Sequence, residues 1–285
     1  MEAAVITDAP GATGPDRPSD RIDTSVAHPA RRYNYWLGGK DNFQADRDSG
    51  DAMAERFPTI RISALENRRF LQRAVGHLAR EAGIRQFLDI GTGIPTADNT
   101  HEVAQSIAAE SRVVYVDNDP IVLAHARALL SSSPEGATAY IDADLRDPER
   151  ILGHPDLLRT IDLSRPVALM LVAVLHFVPD GDDPYAVVRR LLDALPSGSY
   201  LAASHATHDH LPAHIGEEAK AVARSGGPHG VINLRSRAEF TGFFDGLELV
   251  EPGLTSVAQW RAEAEPQPRP SAMEVSMYGA VARKP

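Results

Sequence analysis

The sequence predicts an α/β protein with a doubly wound, mainly parallel seven-stranded sheet, a C-terminal antiparallel hairpin and an N-terminal helical extension. Downstream of residue 84, short apolar runs alternate with stretches of helical periodicity. This alternation is typical of right-handed βαβ crossovers, whose helices cover both faces of a parallel sheet. The last two runs have no long helix between them, which predicts an antiparallel hairpin at the sheet edge. The seven runs are QFLDI, RVVYV, ATAYI, PVALMLV, SYLAAS, LELVEP and EVSMYGAVARK.

The chain divides into three parts. Residues 1–28 are rich in Pro, Gly, Asp, Ser and Ala, so we expect a disordered lead that buries too little apolar surface to fold. Residues 29–83 predict a helical extension, in which Ser63 and Glu66 form a capping box at the start of a helix that Gly83 closes. Residues 84–285 form the α/β domain, where an Asp-Pro pair at Asp119 and another at Asp183 each begin a helix.

Composition narrows the classes of protein that fit this chain. With 43% hydrophobic and 24% charged residues, its 285 residues are typical of a globular protein rather than a disordered one. No apolar run approaches the roughly 18 residues of a membrane helix, and the first residues do not match a secretory signal. The absence of cysteine excludes disulfides and thiolate chemistry, and the net charge of −10 argues against a broad nucleic-acid surface. We therefore expect a cytoplasmic protein with no membrane or nucleic-acid partner.

The loop after the first predicted strand carries the first functional signal. It reads DIGTGIP, in which Gly91 and Gly93 allow a tight turn and close approach of a ligand. The third glycine of a dinucleotide fingerprint is missing, and Asp89 would repel a pyrophosphate. A carboxylate instead favours the ammonium and sulfonium groups of S-adenosylmethionine. A plain tight turn remains the alternative interpretation.

Acidic residues follow the next two predicted strands. Asp117 ends the second strand, a position at which an acid can accept hydrogen bonds from the ribose hydroxyls of a nucleoside cofactor. NAD enzymes have an acid at the same position, so Asp117 alone does not identify the cofactor. Asp119 is better explained as the N-cap before Pro120. After the third strand, Asp144 is placed to receive an adenine amino group while Leu145 packs on the ring, with a solvated turn as the alternative.

Longer strings carry a resemblance to a known family. The order DIGTGIP, VYVDNDP, DADL, AVLHFVPD and LLDALPSGSYLAAS resembles the class I S-adenosylmethionine-dependent methyltransferases, which have a Rossmann-like fold, over roughly residues 84–285. The strings ARRYNYWLGGKDNFQADR and TGIPTADNTHEVAQ resemble a bacterial branch whose substrates are mostly unknown. Pro95 departs from the pattern, so we expect the next helix to begin late, near Thr96 or Asn99.

The resemblance implies methyl transfer from S-adenosyl-L-methionine and a set of cofactor contacts. Gly91 and Gly93 would border the methionine part, with Asp89 near its ammonium. Asp117 would bind the ribose, and the stretch after the fourth strand, including Ala173, would line the crevice. The implied cofactor-binding residues are Asp89, Gly91, Gly93, Asp117, Asn118, Asp144, Leu145 and Ala173.

Histidines near the carboxyl ends of the fourth and fifth strands are candidates for the acceptor side. His176 is the candidate general base, with a packed or substrate-facing histidine as the alternative. His205 and His208 are candidate substrate contacts in the segment SHATHDH, which also fits a solvated loop. A metal site is the weaker interpretation because the spacing matches no closed set of ligands, so we predict no metal.

The aromatic segment RRYNYWLGGKDNF precedes the first strand, where such sequences fold over the crevice as a lid in methyltransferases of this fold. Tyr33, Tyr35 and Asn42 are the candidate lid or substrate contacts. The alternative is that the aromatic rings anchor the extension to the sheet.

Three functions are compatible with these patterns. The first is methyl transfer from S-adenosylmethionine to a small-molecule acceptor. The second is a regulatory domain that binds S-adenosylmethionine without catalysis, and the third is a nicotinamide oxidoreductase, which the acid in the glycine loop disfavours. The sequence identifies neither the acceptor atom nor the oligomeric state.

Overall fold

The computed structural model describes residues 23–129, 132–225 and 231–285. Most of the predicted disordered lead, residues 1–22, lies outside the described residues. Within them, no helix combines the length and the apolar character needed to cross a membrane.

One mixed sheet organises the chain. Its order is β3-β2-β1-β4-β5-β8-β6, with β7 paired to β8. Strands β1 to β5 pair in parallel, and β8 pairs antiparallel with β5, β6 and β7. The fold class is therefore confirmed. The strands are β1 (Gln86–Ile90), β2 (Arg112–Asp117), β3 (Ala137–Asp142), β4 (Ala168–Val172), β5 (Tyr200–Ala206), β6 (Glu248–Leu249), β7 (Thr255–Ser256) and β8 (Met277–Arg283).

Helices cover both faces of the sheet and form the N-terminal extension. The extension consists of α1 (Pro29–Trp36), α2 (Gln44–Arg56) and α3 (Ile60–Arg80). The helices of the sheet domain are α4 (Thr100–Ile107), α5 (Pro120–Leu129), α6 (Pro148–Leu152), α7 (Pro155–Thr160), α8 (Pro184–Asp193), α9 (Ala213–Arg224), α10 (Arg237–Thr241) and α11 (Ala272–Val275).

The strand order reverses between β1 and β4, which places a crevice at their carboxyl ends. All residues of both strands are buried, as expected for a sheet covered on both sides. Side chains alternate between two apolar cores: Leu88 and Ile90 pack in one, whereas Phe87 packs in the other. This buried centre fixes the loops that leave β1 and β4.

The C-terminal strands differ from the predicted hairpin in detail. The sequence places both at the edge, but β8 lies between β5 and β6, because its almost continuous apolar run is buried on both faces. The exposed two-residue strand β6 forms the edge instead. The connection from β6 to β8 contains α11 and the extra strand β7, which brings the sheet to eight strands within the described residues.

The start of α3 also corrects a prediction. The helix begins at Ile60, one turn before the predicted capping box. Ser63 Oγ donates to the backbone carbonyl of Val275 at 2.6 Å, and Glu66 pairs with Arg269. The Ser-x-x-Glu spacing therefore serves contacts with the distant C-terminal segment rather than the helix end.

The other predictions about where helices begin and end are confirmed. Gly83 follows α3 in the left-handed region, with φ of 69°. Asp119 Oδ1 accepts from the backbone N–H of Ile121 at 2.9 Å, and Asp183 Oδ1 accepts from that of Ala186 at 3.1 Å. The helix after the glycine loop begins late, with Asn99 as its N-cap.

Candidate active site

The two glycines of the loop after β1 meet different surroundings. Both have positive φ, 76° at Gly91 and 67° at Gly93. A Cβ on Gly91 would lie 2.4 Å from Cγ2 of Val174, so the loop packs directly against the turn after β4. A Cβ on Gly93 would meet no heavy atom within 4 Å. Gly91 is thus required by packing, whereas Gly93 borders open space.

Asp117 joins the glycine loop to the end of β2. Its Oδ2 accepts from the backbone N–H of Gly93 at 2.9 Å, and its Oδ1 accepts from that of Asp119 at 2.9 Å. Burial raises the pKa of this carboxyl, while the two backbone hydrogen bonds oppose the rise. Each oxygen keeps a second acceptor position, which suits hydroxyl donors such as those of a ribose.

Asp89 is the last but one residue of β1 and is only 3% exposed. Thr100 Oγ1 donates to its Oδ2 at 2.5 Å. Burial raises the pKa of Asp89 to about 6, against the opposing effects of the Thr100 hydrogen bond and the charge of Arg68. A cationic group bound beside this carboxyl would favour its ionised form.

Asp144 is already surrounded by donors. Its Oδ1 accepts from the backbone and Nε of Arg146, and its Oδ2 accepts from Nη2 of Arg146 and Nδ2 of Asn118. The Arg146 hydrogen bonds lower the pKa of Asp144 to about 2. These four bonds fill the acceptor positions of the carboxylate. An adenine amino group must therefore displace one donor, while Leu145 lies buried beside them.

A chain of hydrogen bonds links the extension to the turn after β4. Ala173 adopts φ of 56°, a strained conformation for a residue with a side chain, and its N–H donates to Ser204 Oγ at 2.9 Å. Ser204 Oγ donates to Asn67 Oδ1 at 2.5 Å, and Asn67 Nδ2 donates to Tyr33 Oη at 2.9 Å. No local sequence pattern points to a contact between Asn67 and Ser204, which are 137 residues apart.

His176 lies in the turn after β4 and is 7% exposed. Its Nδ1 has no hydrogen-bond partner among the described residues. Burial, together with the charges of Arg235 and Arg32, lowers the pKa of His176 to about 3. The imidazole is therefore neutral at physiological pH and is a weak proton acceptor, which weighs against the predicted base.

The two candidate histidines of the segment SHATHDH, His205 on β5 and His208 after it, have different surroundings. His205 is fully buried, its Nδ1 donates to the Ala206 carbonyl at 2.7 Å, and its Nε2 accepts from Arg235 Nη1 at 2.9 Å. Both ring nitrogens are thus engaged within the protein. His208 Nε2 lies 3.8 Å from Oδ1 of Asp209. Among the residues that the structure describes, no three His, Cys, Asp or Glu side chains are grouped to hold a metal.

Arg235 fixes the turn that carries His176. Its guanidinium donates to the carbonyls of Leu175 at 3.1 Å and Val178 at 3.0 Å, and to Asp180 Oδ1 at 2.6 Å. It lies between α9 and α10 in a segment without a recognisable pattern, so sequence reasoning missed it.

Helix α1 reaches the crevice through its charged side chains. Asp119 Oδ2 lies 3.3 Å from Arg31 Nε and 2.9 Å from His28 Nδ1, so this end of α1 sits beside the end of β2. Ala30 packs against a small apolar cluster that includes Ile94 of the glycine loop. The extension therefore covers the carboxyl edge of the sheet.

The other candidate lid residues contact the extension itself. Tyr35 Oη donates to Asp51 Oδ1 at 2.8 Å, and Asn42 Nδ2 donates to Asn34 Oδ1 at 2.9 Å. Among the three candidates, Tyr33 is the one linked by hydrogen bonds to the turn after β4. Ligand contacts by Tyr35 and Asn42 stay predictions.

Arg68 of α3 contacts the loop between the glycines and α4. Its Nη2 donates to the carbonyls of Ala97 at 3.2 Å and Asp98 at 3.1 Å, and to Asn99 Oδ1 at 2.9 Å. Thr100, the residue after Asn99, donates to Asp89 Oδ2 at 2.5 Å, so Arg68 lies on the side of the crevice where that carboxylate stands.

Comparisons with known proteins agree with this geometry. A family model described as S-adenosyl methyltransferase matches residues 15–285. A DUF574 family protein from Streptomyces avermitilis MA-4680 has 54% sequence identity and a TM-score of 0.86, over 93% of this chain and 100% of that chain. A putative methyltransferase from Thermobifida fusca YX has 45% identity and a TM-score of 0.83, over 92% of this chain and 96% of that chain. No curated protein matches the sequence.

Proposed function

The chain belongs to the S-adenosyl methyltransferase family, and we propose that it methylates a small molecule held beneath its N-terminal extension. S-adenosyl-L-methionine is its cofactor, and the chain is a methyltransferase enzyme. The nicotinamide and regulatory-domain alternatives are thereby set aside. The acceptor class and the roles of individual residues are the parts that we propose.

Burial of polar side chains near the carboxyl ends of β4 and β5 is the observation that carries the proposal. His176 after β4, His205 on β5 and Arg32 of α1 are all buried. Polar and charged side chains enclosed in this way suit a small ligand, because a macromolecular acceptor needs an open surface. The net charge of −10 also disfavours a nucleic-acid acceptor. A cytoplasmic location and the absence of a membrane partner complete the proposal.

The residues at the carboxyl edge of the sheet fit the cofactor. The space beside Gly93 is open, Asp117 keeps free acceptor positions, and Asp89 is a buried carboxyl suited to a cationic neighbour. When bound, the cofactor supplies a methyl group activated by its sulfonium. We propose that Asp117 holds the ribose hydroxyls, that Asp89 holds the ammonium group, and that Arg68 holds the carboxylate.

Asn118, Asp144, Leu145 and Ala173 complete the proposed cofactor contacts, the first three at the adenine and the last beside the methionine. In the acceptor half of the crevice, we propose that the protein mainly positions the methyl acceptor and encloses it. Arg235 fixes the turn carrying His176, and Tyr33, Asn67 and Ser204 hold the turn at Ala173. Because His176 is neutral and a weak base, we propose that it contacts the acceptor rather than removing its proton. Ordering both reactants while excluding water contributes strongly to such a reaction.

The test is turnover with fractionated cell extract. The enzyme is incubated with S-adenosylmethionine and either the low-molecular-mass fraction or the macromolecular fraction, and S-adenosylhomocysteine is measured. We expect turnover with the small molecules, and turnover confined to the macromolecules would contradict the proposal. Asp117→Ala is the control, because losing charged hydrogen bonds should weaken cofactor binding by at least about tenfold.

Tyr33→Phe should show whether Tyr33 supports the turn at Ala173 during catalysis or only anchors the N-terminal extension. The substitution keeps the ring but removes the hydroxyl, which accepts from Asn67 Nδ2 and donates to the carbonyl of Ala64 at 2.8 Å, so we expect the free energy of unfolding to fall by about 2 kcal/mol. Turnover should fall several-fold because the turn at Ala173 loses support. Chemical denaturation and steady-state kinetics measure the two effects.

Tyr35→Phe is the matched control for this experiment. Its hydroxyl contacts Asp51 on the exposed surface of the extension, so stability and turnover should stay near wild type. Unchanged turnover in both variants would show that the hydrogen-bond chain does not support catalysis.

A further inference from the structure

A cavity lies at the amino ends of the parallel strands, at the edge of the sheet opposite the methyl-transfer crevice. Its volume is about 310 Å³, and its walls come from the connection between α3 and β1, the residues before β4, the start of β5 and the end of β8. Pockets that hold small ligands have volumes from about 300 Å³ upward. None of the residues assigned to the cofactor or the acceptor lines this cavity, so the proposed function does not account for it.

The sheet register brings the walls of the cavity together. Tyr200 on β5 lies directly opposite Arg283 on β8, so their side chains share one face of the sheet. The backbone N–H of Tyr200 donates to the carbonyl of Val167 at 3.0 Å, which holds the residues before β4 beside the start of β5. Gln86 Nε2, at the start of β1, donates to the carbonyl of Arg165 at 3.4 Å. Hydrogen bonds thus fix four segments of the chain around one space.

The charge of the cavity is positive. Three arginines line it, Arg85, Arg165 and Arg283, and none of the described residues along its walls is acidic. This local excess of positive charge occurs in a chain whose net charge is −10. A concave surface lined by one sign of charge concentrates its field and attracts ions of the opposite sign. The cavity is therefore suited to an anion.

Arg165 has its whole guanidinium available to such an anion. The residue is exposed, in the loop before β4. Asp162 in the same loop feels the charge of Arg165, but the carboxylate of Asp162 accepts from the N–H and the hydroxyl of Ser164. Within the part of the chain that the structure describes, the guanidinium of Arg165 makes no hydrogen bond or ion pair.

The other two arginines are each paired with one glutamate and keep further donors. Arg283 Nη1 donates to Glu248 at 3.2 Å, and Arg85 Nε donates to Glu110 at 2.8 Å, while Arg85 Nη1 donates to two backbone carbonyls. Both glutamates are more than half exposed, and exposed ion pairs of this kind contribute little free energy. Nη2 of each arginine has no hydrogen-bond partner among the described residues. These donors can therefore bind a ligand without the loss of a strong contact.

We propose that this cavity binds a small phosphorylated molecule at a site separate from the methyl-transfer crevice. A carboxylate offers two oxygens in one plane, whereas a phosphate offers three acceptor oxygens that can meet arginines from several directions. The planar donor pairs of arginine match phosphate oxygens, and the arginines of this cavity come from three segments of the chain. The hydroxyl of Tyr200, which has no hydrogen-bond partner among the described residues, adds a further donor.

The test uses pyrophosphate as the probe. It is titrated by calorimetry into wild-type protein saturated with S-adenosylhomocysteine, so that the cofactor crevice is occupied. We expect saturable binding of one pyrophosphate per chain, and weaker binding of citrate, which carries its negative charge on carboxylates. Arg165→Gln and Arg283→Gln should each weaken pyrophosphate binding at least about fivefold, because each removes a charged donor. Both variants should keep the wild-type affinity for S-adenosylhomocysteine.

Arg190→Gln is the matched control for Arg283→Gln. Arg190 is 47% exposed and pairs with Glu149, much as the 43% exposed Arg283 pairs with Glu248, but it lies on α8 outside the cavity. Its replacement should leave pyrophosphate binding unchanged. If Arg283→Gln does not fold, the substitution at Arg165 in its exposed loop still decides.

Four results would overturn the inference. Pyrophosphate may fail to saturate the protein, or bind wild type and both cavity variants with equal affinity. Citrate binding as tight as that of pyrophosphate would assign the cavity to a polycarboxylate. Pyrophosphate that binds only without S-adenosylhomocysteine would lie in the cofactor crevice instead.

Discussion

Gly91→Ala should destabilise the protein strongly, whereas Gly93→Ala should preserve the fold and abolish most cofactor binding. At Gly91, the new methyl group would lie 2.4 Å from Cγ2 of Val174 and would require a left-handed backbone at φ of 76°. Overpacking and backbone strain together predict a loss of on the order of 3 kcal/mol in the free energy of unfolding. Urea denaturation of the two variants measures this difference.

At Gly93 the same methyl group meets no protein atom within 4 Å. The left-handed backbone at φ of 67° still lowers stability, by about 1 kcal/mol. The main effect should be on binding, because the methyl group occupies space that we assign to the methionine part of the cofactor. Affinity for S-adenosylhomocysteine should fall about a hundredfold. Near-wild-type affinity in Gly93→Ala would place the cofactor elsewhere.

The contrast between these glycines shows what the sequence could predict. The spacing in DIGTGIP predicted a tight turn after β1, and the late start of α4 at Thr100 explains the missing third glycine. That glycine allows close packing of a helix that follows the loop directly, whereas here residues 91–99 intervene. Val174 packs against Gly91, whereas Gly93 faces open space. Because Val174 lies 83 positions beyond Gly91, no local pattern predicts this difference.

Long-range polar contacts were the features that the sequence could not predict. Arg235 reaches His205 across 30 positions, and Ser204 reaches Asn67 across 137. Strand and helix patterns arise from periodic burial, which is a local property of the chain. A hydrogen bond between distant side chains leaves no such period. The same limit explains why Ser63 and Glu66 matched a capping box while serving contacts with the C-terminal segment.

The segment before β1 stands out in the sequence for its aromatic residues. The burial of its two arginines, Arg31 and Arg32, was not predicted. Tyr35 and Trp36 contact α2 and stabilise the extension itself. Arg31 Nε lies 3.3 Å from Asp119 Oδ2, just after β2, and Arg32 Nη1 donates to Ser49 Oγ of α2 at 3.2 Å. Neighbouring arginines in a sequence usually indicate a solvated surface. Only the packing of α1 against the crevice shows that both are buried.

Asp89→Asn should make the free protein more stable above about pH 6 while weakening cofactor binding. Burial raises the pKa of Asp89 from 3.8 to about 6 in the folded protein. The folded state therefore holds its proton more tightly than the unfolded state, and the contribution of Asp89 to stability falls as pH rises between these values. A shift of this size corresponds to about 3 kcal/mol, and asparagine removes the buried charge while keeping an acceptor for Thr100.

Thermal and urea unfolding near pH 8 should show Asp89→Asn to be more stable than wild type by about 1–3 kcal/mol, and near pH 4 the two should converge. Asp98→Asn is the matched control, because Asp98 is an exposed carboxylate in the loop that follows β1 and its replacement should leave both stability and affinity unchanged. Equal stability of Asp89→Asn and wild type at both pH values would contradict the effect of burial.

Affinity for the cofactor should rise with pH through the pKa of Asp89, whereas the stability of the free protein should fall over the same range. If the ammonium group binds beside Asp89, the ionised form is favoured in the complex, so binding releases a proton near pH 6 and affinity rises with pH through this range. Calorimetry in buffers of different ionisation enthalpy measures the released proton. Asp89→Asn should lose both this proton release and at least about tenfold in affinity, because a charged hydrogen bond is replaced by a neutral one. Proton release that persists in Asp89→Asn would assign the ammonium site to another group.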